Sequence, residues 1–191
     1  MITMMSTVKN GSQWNTHKLD QLIEGIAAGD TQAFEALYLT AKSSVYSFAL
    51  SILKNTQDAE DALHDCFVQV YSAAASYEKR GNAKAWIMTI TYNLCMQKLR
   101  QRQKVTDISE EDWGNFLEAS DGLSPDDKIV LEQCMNALTD EERQIVVLHA
   151  VSGFKHREIA AMLSIPLPTV LSKYNRAIKK LQKALSGGQK R

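Results

Sequence analysis

The residues best suited to acting on a ligand are basic, and they come in two groups. Between Lys155 and Leu185 a short helical segment, a tight turn at Ser164-Ile165-Pro166-Leu167 and a longer helix follow one another, the pattern of a helix-turn-helix. In the longer helix Val170, Tyr174, Ala177, Ile178, Leu181 and Leu185 share one side, which leaves Ser172, Lys173, Arg176, Lys179, Lys180 and Lys183 on the other. Side chains near the start of such a helix reach base edges in a major groove, which suits Ser172, Lys173 and Arg176. Lys179, Lys180 and Lys183 lie further along and are placed for phosphates. A plain helical hairpin with a solvated basic face is the alternative. The second group runs from Tyr77-Glu78-Lys79-Arg80-Gly81-Asn82 through Trp86 and Tyr92 to Lys98, Arg100, Arg102 and Lys104. Aromatics among cations beside a Gly-Asn loop suit unstacked bases better than a duplex groove. Such a loop can hold a flipped base by amide hydrogen bonds while an aromatic ring stacks on its neighbour. Trp86 and Tyr92 would serve equally well in a core.

A third pattern is acidic. Asp58, Asp61 and Asp65 fall at i, i+3 and i+7 of one helix, and Val68 continues the line. With no basic neighbour in that line, the stripe reads either as a solvated face or as a docking surface for a basic partner helix. Catalytic chemistry has no comparable signal. There is no phosphate loop, G-x-S-x-G or H-E-x-x-H, and the four His are scattered. Adjacent residues of a helix point apart, so His64-Asp65-Cys66 is a poor metal site, and no metal or other cofactor is expected. Cys66, Cys95 and Cys134 are odd in number and form no C-x-x-C, which argues against a disulfide framework; the apolar surroundings of Cys66 and Cys95 predict buried thiols.

Helices are the elements that can position these groups. Residues 1–17 are polar and aperiodic and read as a flexible tail. Leu19, Leu22, Ile23 and Ile26 define a first helix that Gly29-Asp30 stops. Phe34, Leu37, Tyr38, Ala41, Val45, Phe48, Ala49 and Ile52 form the apolar stripe of a long second one. Asn55 or Thr56 can cap a third, with apolar positions Ala59, Ala62, Leu63, Cys66, Phe67, Val70 and Ala74. Asn82 can cap a fourth that runs to about Arg102, with Ile87, Ile90 and Leu94 on one face. Thr106–Ser124 is acidic, contains no basic residue and reads as a linker with a short turn around Trp113 and Phe116. Periodicity returns after Pro125, with Ile129, Met135 and Leu138 among its apolar positions, and Thr139-Asp140-Glu141-Glu142 is a capping box. The helix it opens contains Ile145-Val146-Val147-Leu148 and ends at Gly153, before the helix-turn-helix.

Composition fits this all-α reading: 191 residues contain nine Gly and three Pro, too few turn residues for a sandwich or barrel. The longest apolar run, Ile159–Leu163, has five residues, so no membrane insertion is expected. Met1-Ile2-Thr3-Met4-Met5-Ser6 lacks a secretory pattern, which makes the cytoplasm the expected location. The net charge of zero hides alternating blocks: −5 over residues 1–78, +7 over 79–104, −11 over 105–142 and +9 over 143–191. Two basic segments divided by an acidic one suggest two contacts with a polyanion and a linker that avoids it.

Together these residues resemble a family. Gly29-Asp30-x-x-Ala33-Phe34-x-x-Leu37-Tyr38, then Asp58-Ala59-Glu60-Asp61-Ala62-Leu63-His64-Asp65-Cys66-Phe67, then Ala85-Trp86-Ile87-x-x-Ile90-x-x-Asn93 with Arg100, are similar to the first domain of bacterial extracytoplasmic-function (ECF) sigma factors, relatives of the primary sigma factors. Leu138-Thr139-x-x-Glu142-Arg143, Glu158-Ile159-Ala160 and Thr169-Val170-x-Ser172 resemble their second. The resemblance implies a region 2-like domain at 18–104, an acidic linker at 105–124, a region 4-like helix-turn-helix domain at 125–186 and a short tail at 187–191. It implies that Asp58, Asp61, Asp65 and Phe67 face the clamp helices of the polymerase largest subunit. Arg80, Gly81 and Asn82, with Trp86 and Asn93, would take the melted −10 element, and Lys98, Arg100 and Arg102 would hold adjacent backbone. Thr169, Ser172, Lys173 and Arg176, followed by Lys179 and Lys180, would bind the −35 element. The partners implied are core RNA polymerase, through its clamp helices and flap, and promoter DNA as duplex and as melted non-template strand. The acidic linker would thread toward the polymerase's RNA channel. An anti-sigma factor is left open. The chain departs from the family's pattern at His64, where Gln is usual, at Pro168 for a common Gly and at Leu171 for a common basic residue. Two other readings stand beside this one: a stand-alone helix-turn-helix regulator that binds duplex DNA without polymerase, and an interaction protein such as a sigma-sequestering bundle.

Overall fold

The computed structural model describes residues 16–78, 82–104, 130 and 133–187, and among them there is no strand. The chain is all-α. Helices α1 (Thr16–Ala27), α2 (Thr31–Leu53), α3 (Thr56–Ala73) and α4 (Ala83–Lys104) form an N-terminal group, with one 3-10 turn at Ala74–Ser76. Helices α5 (Asp140–Ala150), α6 (His156–Leu163) and α7 (Leu167–Gly187) form a C-terminal group. Residues 1–15, Lys79, Arg80, Gly81, residues 105–129 with Trp113, Phe116, Pro125 and Ile129, residues 131–132, and 188–191 lie outside the described residues.

Local sequence explains the helix ends. Gly29 adopts φ +86°, and Asp30 then starts α2 by accepting hydrogen bonds from the Gln32 and Ala33 amides at 2.8 and 3.2 Å. Gly25 lets α1 and α2 cross closely, since a Cβ there would sit 2.8 Å from that of Ala33. Asn55 is the cap of α3, its side chain accepting from the Asp58 amide at 2.9 Å. The capping box forms as the spacing predicts: Glu142 accepts from the Thr139 amide at 3.0 Å, and the Thr139 hydroxyl accepts from the Glu142 amide.

Helix α2 is the central strut, packed by α1, α3 and α4 and, on its far side, by α5. By length and composition it could cross a membrane. Here Leu37, Ala41, Val45, Phe48 and Ala49 instead lie wholly inside the bundle. One continuous core joins the two groups, running from Leu19, Phe48 and Ile87 to Ile145, Leu148, Phe154 and Ile159. At their junction Lys54 pairs with Asp140 at 2.9 Å, and the Lys84 ammonium lies 4.0 Å from the centre of the Phe154 ring. Leu185, expected on the inner side of the last helix, is 51% exposed. The apolar row of α7 leaves the described core near Leu181.

Candidate nucleic-acid interface

Two exposed faces carry the groups singled out above. On α4, Asn82 just before its start, Thr89, Asn93, Gln97 and Arg100 are exposed, with Trp86 half-buried in the same strip. Their spacing of three and four residues makes one continuous face. The opposite side holds the helix in the bundle through Ala83, Ile87, Met88, Thr91 and Cys95, all fully buried. Trp86 and Tyr92, open between core and ligand on sequence alone, are both half-buried and packed within the bundle: Trp86 tilts against Tyr77 at 4.8 Å and Tyr92 stacks on Phe48 at 6.5 Å.

The loop that leads into α4 is anchored from behind. Tyr77 donates to the buried Asp20 carboxylate at 2.6 Å, a contact across 57 residues that the sequence does not announce. Burial, the Asp20 acceptor and its charge together raise the Tyr77 phenol well above its ordinary value. Tyr77→Phe would leave Asp20 buried with one acceptor unmet, so the unfolding free energy is expected to fall by about 1–2 kcal/mol. Chemical denaturation of the full chain measures this.

The acidic stripe differs from its expectation in two ways. Asp58 pairs with Arg102, and Asp61 with Lys98 at 3.3 Å, so two of its three carboxylates meet cations from α4. Arg102 also donates to the Leu53 carbonyl at 3.2 Å, closing the end of α2. These links cross between helices and are invisible to a reading along one helix. Phe67 differs from its expected outward position: it is 3% exposed, its ring edge-on to Tyr38 at 4.9 Å and Phe34 at 6.2 Å, and its side chain faces the core. The exposed face of α3 instead carries Asp61, His64, Asp65, Val68 and Tyr71, with Val68 66% and Tyr71 52% exposed.

In the helix-turn-helix, Ser164 takes φ 54° to end α6 and its amide bonds back to Ala160 and Ala161. Val170 and Ala177 anchor α7 with no exposure, and Tyr174 packs beside them. Ser172, Arg176 and Lys179 are exposed, and Thr169 is half-buried. Lys173 is paired with Glu141. Lys180 corrects the sequence reading, because it turns toward α5 and holds the buried Glu142 at 2.6 Å. Burial pushes the Glu142 carboxyl up, but hydrogen bonds from Lys180 and Thr139 and the lysine charge outweigh it and hold the group below its ordinary value. Arg143, 2% exposed, donates to the Met135 and Leu138 carbonyls, each at 3.2 Å, and fixes the chain entering α5.

Behind the exposed face of α7 lies an aromatic cluster. His149 and His156 stack at 4.4 Å, and Tyr174 meets both rings edge-on at 4.9 and 4.7 Å. Burial, then the neighbouring His149, holds His156 below its ordinary 6.5. The unfolded chain therefore takes up this proton at a higher pH than the folded one. Stability is full above pH 6.5 and declines as the pH falls through 6.5 toward the lower folded value. Glu142 adds a second loss below its ordinary 4.5. Thermal melts are expected to show a lower unfolding temperature at pH 5.5 than at 7.5, and His156→Phe should flatten that interval. Reactive thiols are absent among the described residues: all three cysteines are buried, and burial pushes Cys66 up to about 11 and Cys95 up to about 12.

Comparisons with known proteins agree with this geometry. Residues 37–105 match Sigma-70 region 2, and residues 128–181 match Sigma-70, region 4. The ECF RNA polymerase sigma factor SigK of Mycobacterium tuberculosis (strain ATCC 25618 / H37Rv) is 26% identical over 174 residues, covering 87% of this chain and 93% of that protein. SigK of Mycolicibacterium vanbaalenii is 27% identical over 178 residues, 89% of this chain and 90% of the relative. Among solved structures, the sigma factor RpoE in complex with the anti-sigma factor NepR from Bartonella quintana is similar with a TM-score of 0.66 at 25% identity, over 84% of this chain and all of that one. CnrH in complex with the cytosolic domain of CnrY shares the fold, with a TM-score of 0.60 at 20% identity over 89% of this chain and 98% of that one. Both sigma regions are present in order, each on one of the two helical groups, and the chain belongs to the extracytoplasmic-function group of the sigma-70 family.

Proposed function

We propose that this sigma factor brings core RNA polymerase to promoters through two separate surfaces and opens the DNA with the first of them. The domain at 18–104 docks on the clamp helices through the exposed face of α3, where Asp61 and Asp65 supply charge and Val68 and Tyr71 supply apolar contact. Asp58, paired with Arg102, steadies that face from α4. The outer strip of α4 then receives the melted −10 strand, with Asn82, Trp86 and Asn93 toward the bases and Arg100 toward the backbone. Arg80 and Gly81 complete the loop, and Lys98 stands between that strip and Asp61. The domain at 125–186 reads the −35 duplex with Ser172 and Arg176 at base edges and Lys179 on phosphate, while Thr169 and Lys173 lie at the margin of the contact.

The observation that carries this reading is the order of the two matched regions, each falling on a helical group with an exposed polar face of the required kind. The acidic segment at 105–124 joins the domains, and its charge keeps it off DNA. The chain acts in the cytoplasm and performs no catalysis itself; it supplies promoter recognition and strand opening to the polymerase. An anti-sigma factor is a further partner, as for the similar RpoE of Bartonella quintana. The test mixes the purified chain with bacterial core polymerase and sheared genomic DNA and sequences the transcripts. Discrete start sites that vanish without the chain support the proposal, and retention of duplex DNA by the chain alone, with no transcripts, overturns it.

A further inference from the structure

We infer that the helix-turn-helix reads thymine through the C5-methyl group of the base, with Leu171 as the contacting residue and Leu167 behind it. This rests on the proposal that α7 lies in the −35 major groove. Leu167 is 37% and Leu171 42% exposed, one helical turn apart in the first two turns of α7. Val170 and Ala177 hold the centre of the inner side with no exposure, and Leu167 and Leu171 lie at its outer edge, open to solvent. Leu167 and Leu171 form an outer row directly beside the row of Pro168, Ser172 and Arg176. An apolar row therefore lies alongside the polar row best placed to meet base edges.

The surroundings select the occupant. Leu167 and Leu171 line one side of an open cleft of about 420 Å³ whose other side is the start of α6, with Lys155, His156, Arg157 and Glu158. Glu158 is engaged within α6, its carboxylate accepting from the Lys155 amide at 2.7 Å. Glu158 is exposed as well, and with Lys155 and Arg157 beside it the rim carries a net charge of +1. An apolar segment of a protein would meet cations at that rim. A duplex supplies what both parts need: phosphates for the cations and, in the major groove, the thymine methyl as the apolar group on a base edge. Leucine cannot donate or accept a hydrogen bond, so what it can discriminate there is the methyl.

The test uses holoenzyme assembled from the full chain and core polymerase, and −35 duplexes selected from a randomised library. Each thymine of the selected element is replaced singly by deoxyuridine, which removes the methyl and leaves every hydrogen-bonding group. Binding is expected to weaken about fourfold at one or two adjacent positions, the value of one buried methyl. Leu171→Ala should abolish that penalty, and Leu171→Arg should redirect preference there to guanine. Cytosine at the same position should bind better when it is 5-methylated, which ties the effect to the methyl rather than to thymine's other groups. Equal binding of deoxyuridine and thymine throughout the element, or a penalty that survives Leu171→Ala, overturns the inference. So does a Leu171→Ala variant that loses affinity for core polymerase and not for DNA. If no duplex is enriched at all, the reading of α7 as the −35 reader falls first. If enrichment occurs and Arg176→Ala relaxes it while deoxyuridine is neutral, only the methyl contact falls.

Discussion

Phe67→Ala should lower the stability of the N-terminal domain by about 3–5 kcal/mol, the range for removing a large aromatic side chain from a packed core. The ring is 3% exposed and sits between α2 and α3, edge-on to Tyr38 and Phe34, so its loss leaves a hole at the crossing of two helices. Neither helix can close that hole without moving against α1 or α4, which also pack on α2. Its neighbour Val68 is 66% exposed, and Val68→Ala should change stability by less than about 0.5 kcal/mol. The same substitution should weaken binding to core polymerase, and Asp65→Lys should weaken it further by reversing charge on the same face. Urea denaturation and a polymerase pull-down separate the two effects. A Phe67→Ala chain that melts like the parent would remove Phe67 from the core. Unchanged polymerase affinity in both Val68→Ala and Asp65→Lys would remove α3 from the docking surface.

Phe67 also marks where sequence reasoning is strong and where it is weak. Its helical periodicity with Ala59, Ala62, Leu63, Cys66 and Val70 places it inward, and all six are buried. The resemblance placed the same residue outward, and packing decides for periodicity. Patterns confined to one turn were legible for a physical reason: the Thr139 capping box, the Asn55 cap and the inward positions of α2 each depend on residues three or four apart. The contacts that were not legible join residues far apart along the chain. Lys98 reaches Asp61 across 37 residues, Lys180 reaches Glu142 across 38 and Tyr77 reaches Asp20 across 57. A charge count assigns Lys98, Arg102, Lys173 and Lys180 to basic faces, whereas all four are paired with carboxylates on another helix. Leu171 was marked in the sequence as standing where a basic residue is common, and its exposure beside Leu167 agrees with an outward position.

Arg176→Ala should lower affinity for the best promoter by about 5-fold to 150-fold, the value of one bidentate arginine–base contact of about 1–3 kcal/mol. Arg176 is exposed one turn beyond Ser172 on the outer face of α7, opposite the buried Val170 and Ala177. It lies past the leucine row and has no fold to hold together, so the loss should appear in DNA binding and not in melting temperature. Arg176→Lys separates the two ways in which a cation can act. A lysine keeps the charge but not the planar fork that matches two acceptors on one base. If Arg176 reads a base, Arg176→Lys should bind the selected promoter nearly as poorly as Arg176→Ala while keeping more affinity for random duplex. If it serves only a phosphate, the lysine variant should behave like the parent and the alanine variant should lose affinity equally on every sequence. Lys180→Ala provides the contrast on the same helix. Its ammonium faces the buried Glu142, so its removal should cost about 1–2 kcal/mol of stability and leave base preference intact. Promoter selection with the three holoenzymes, read beside their melting curves, therefore distinguishes a residue that reads DNA from one that holds the reading helix in place.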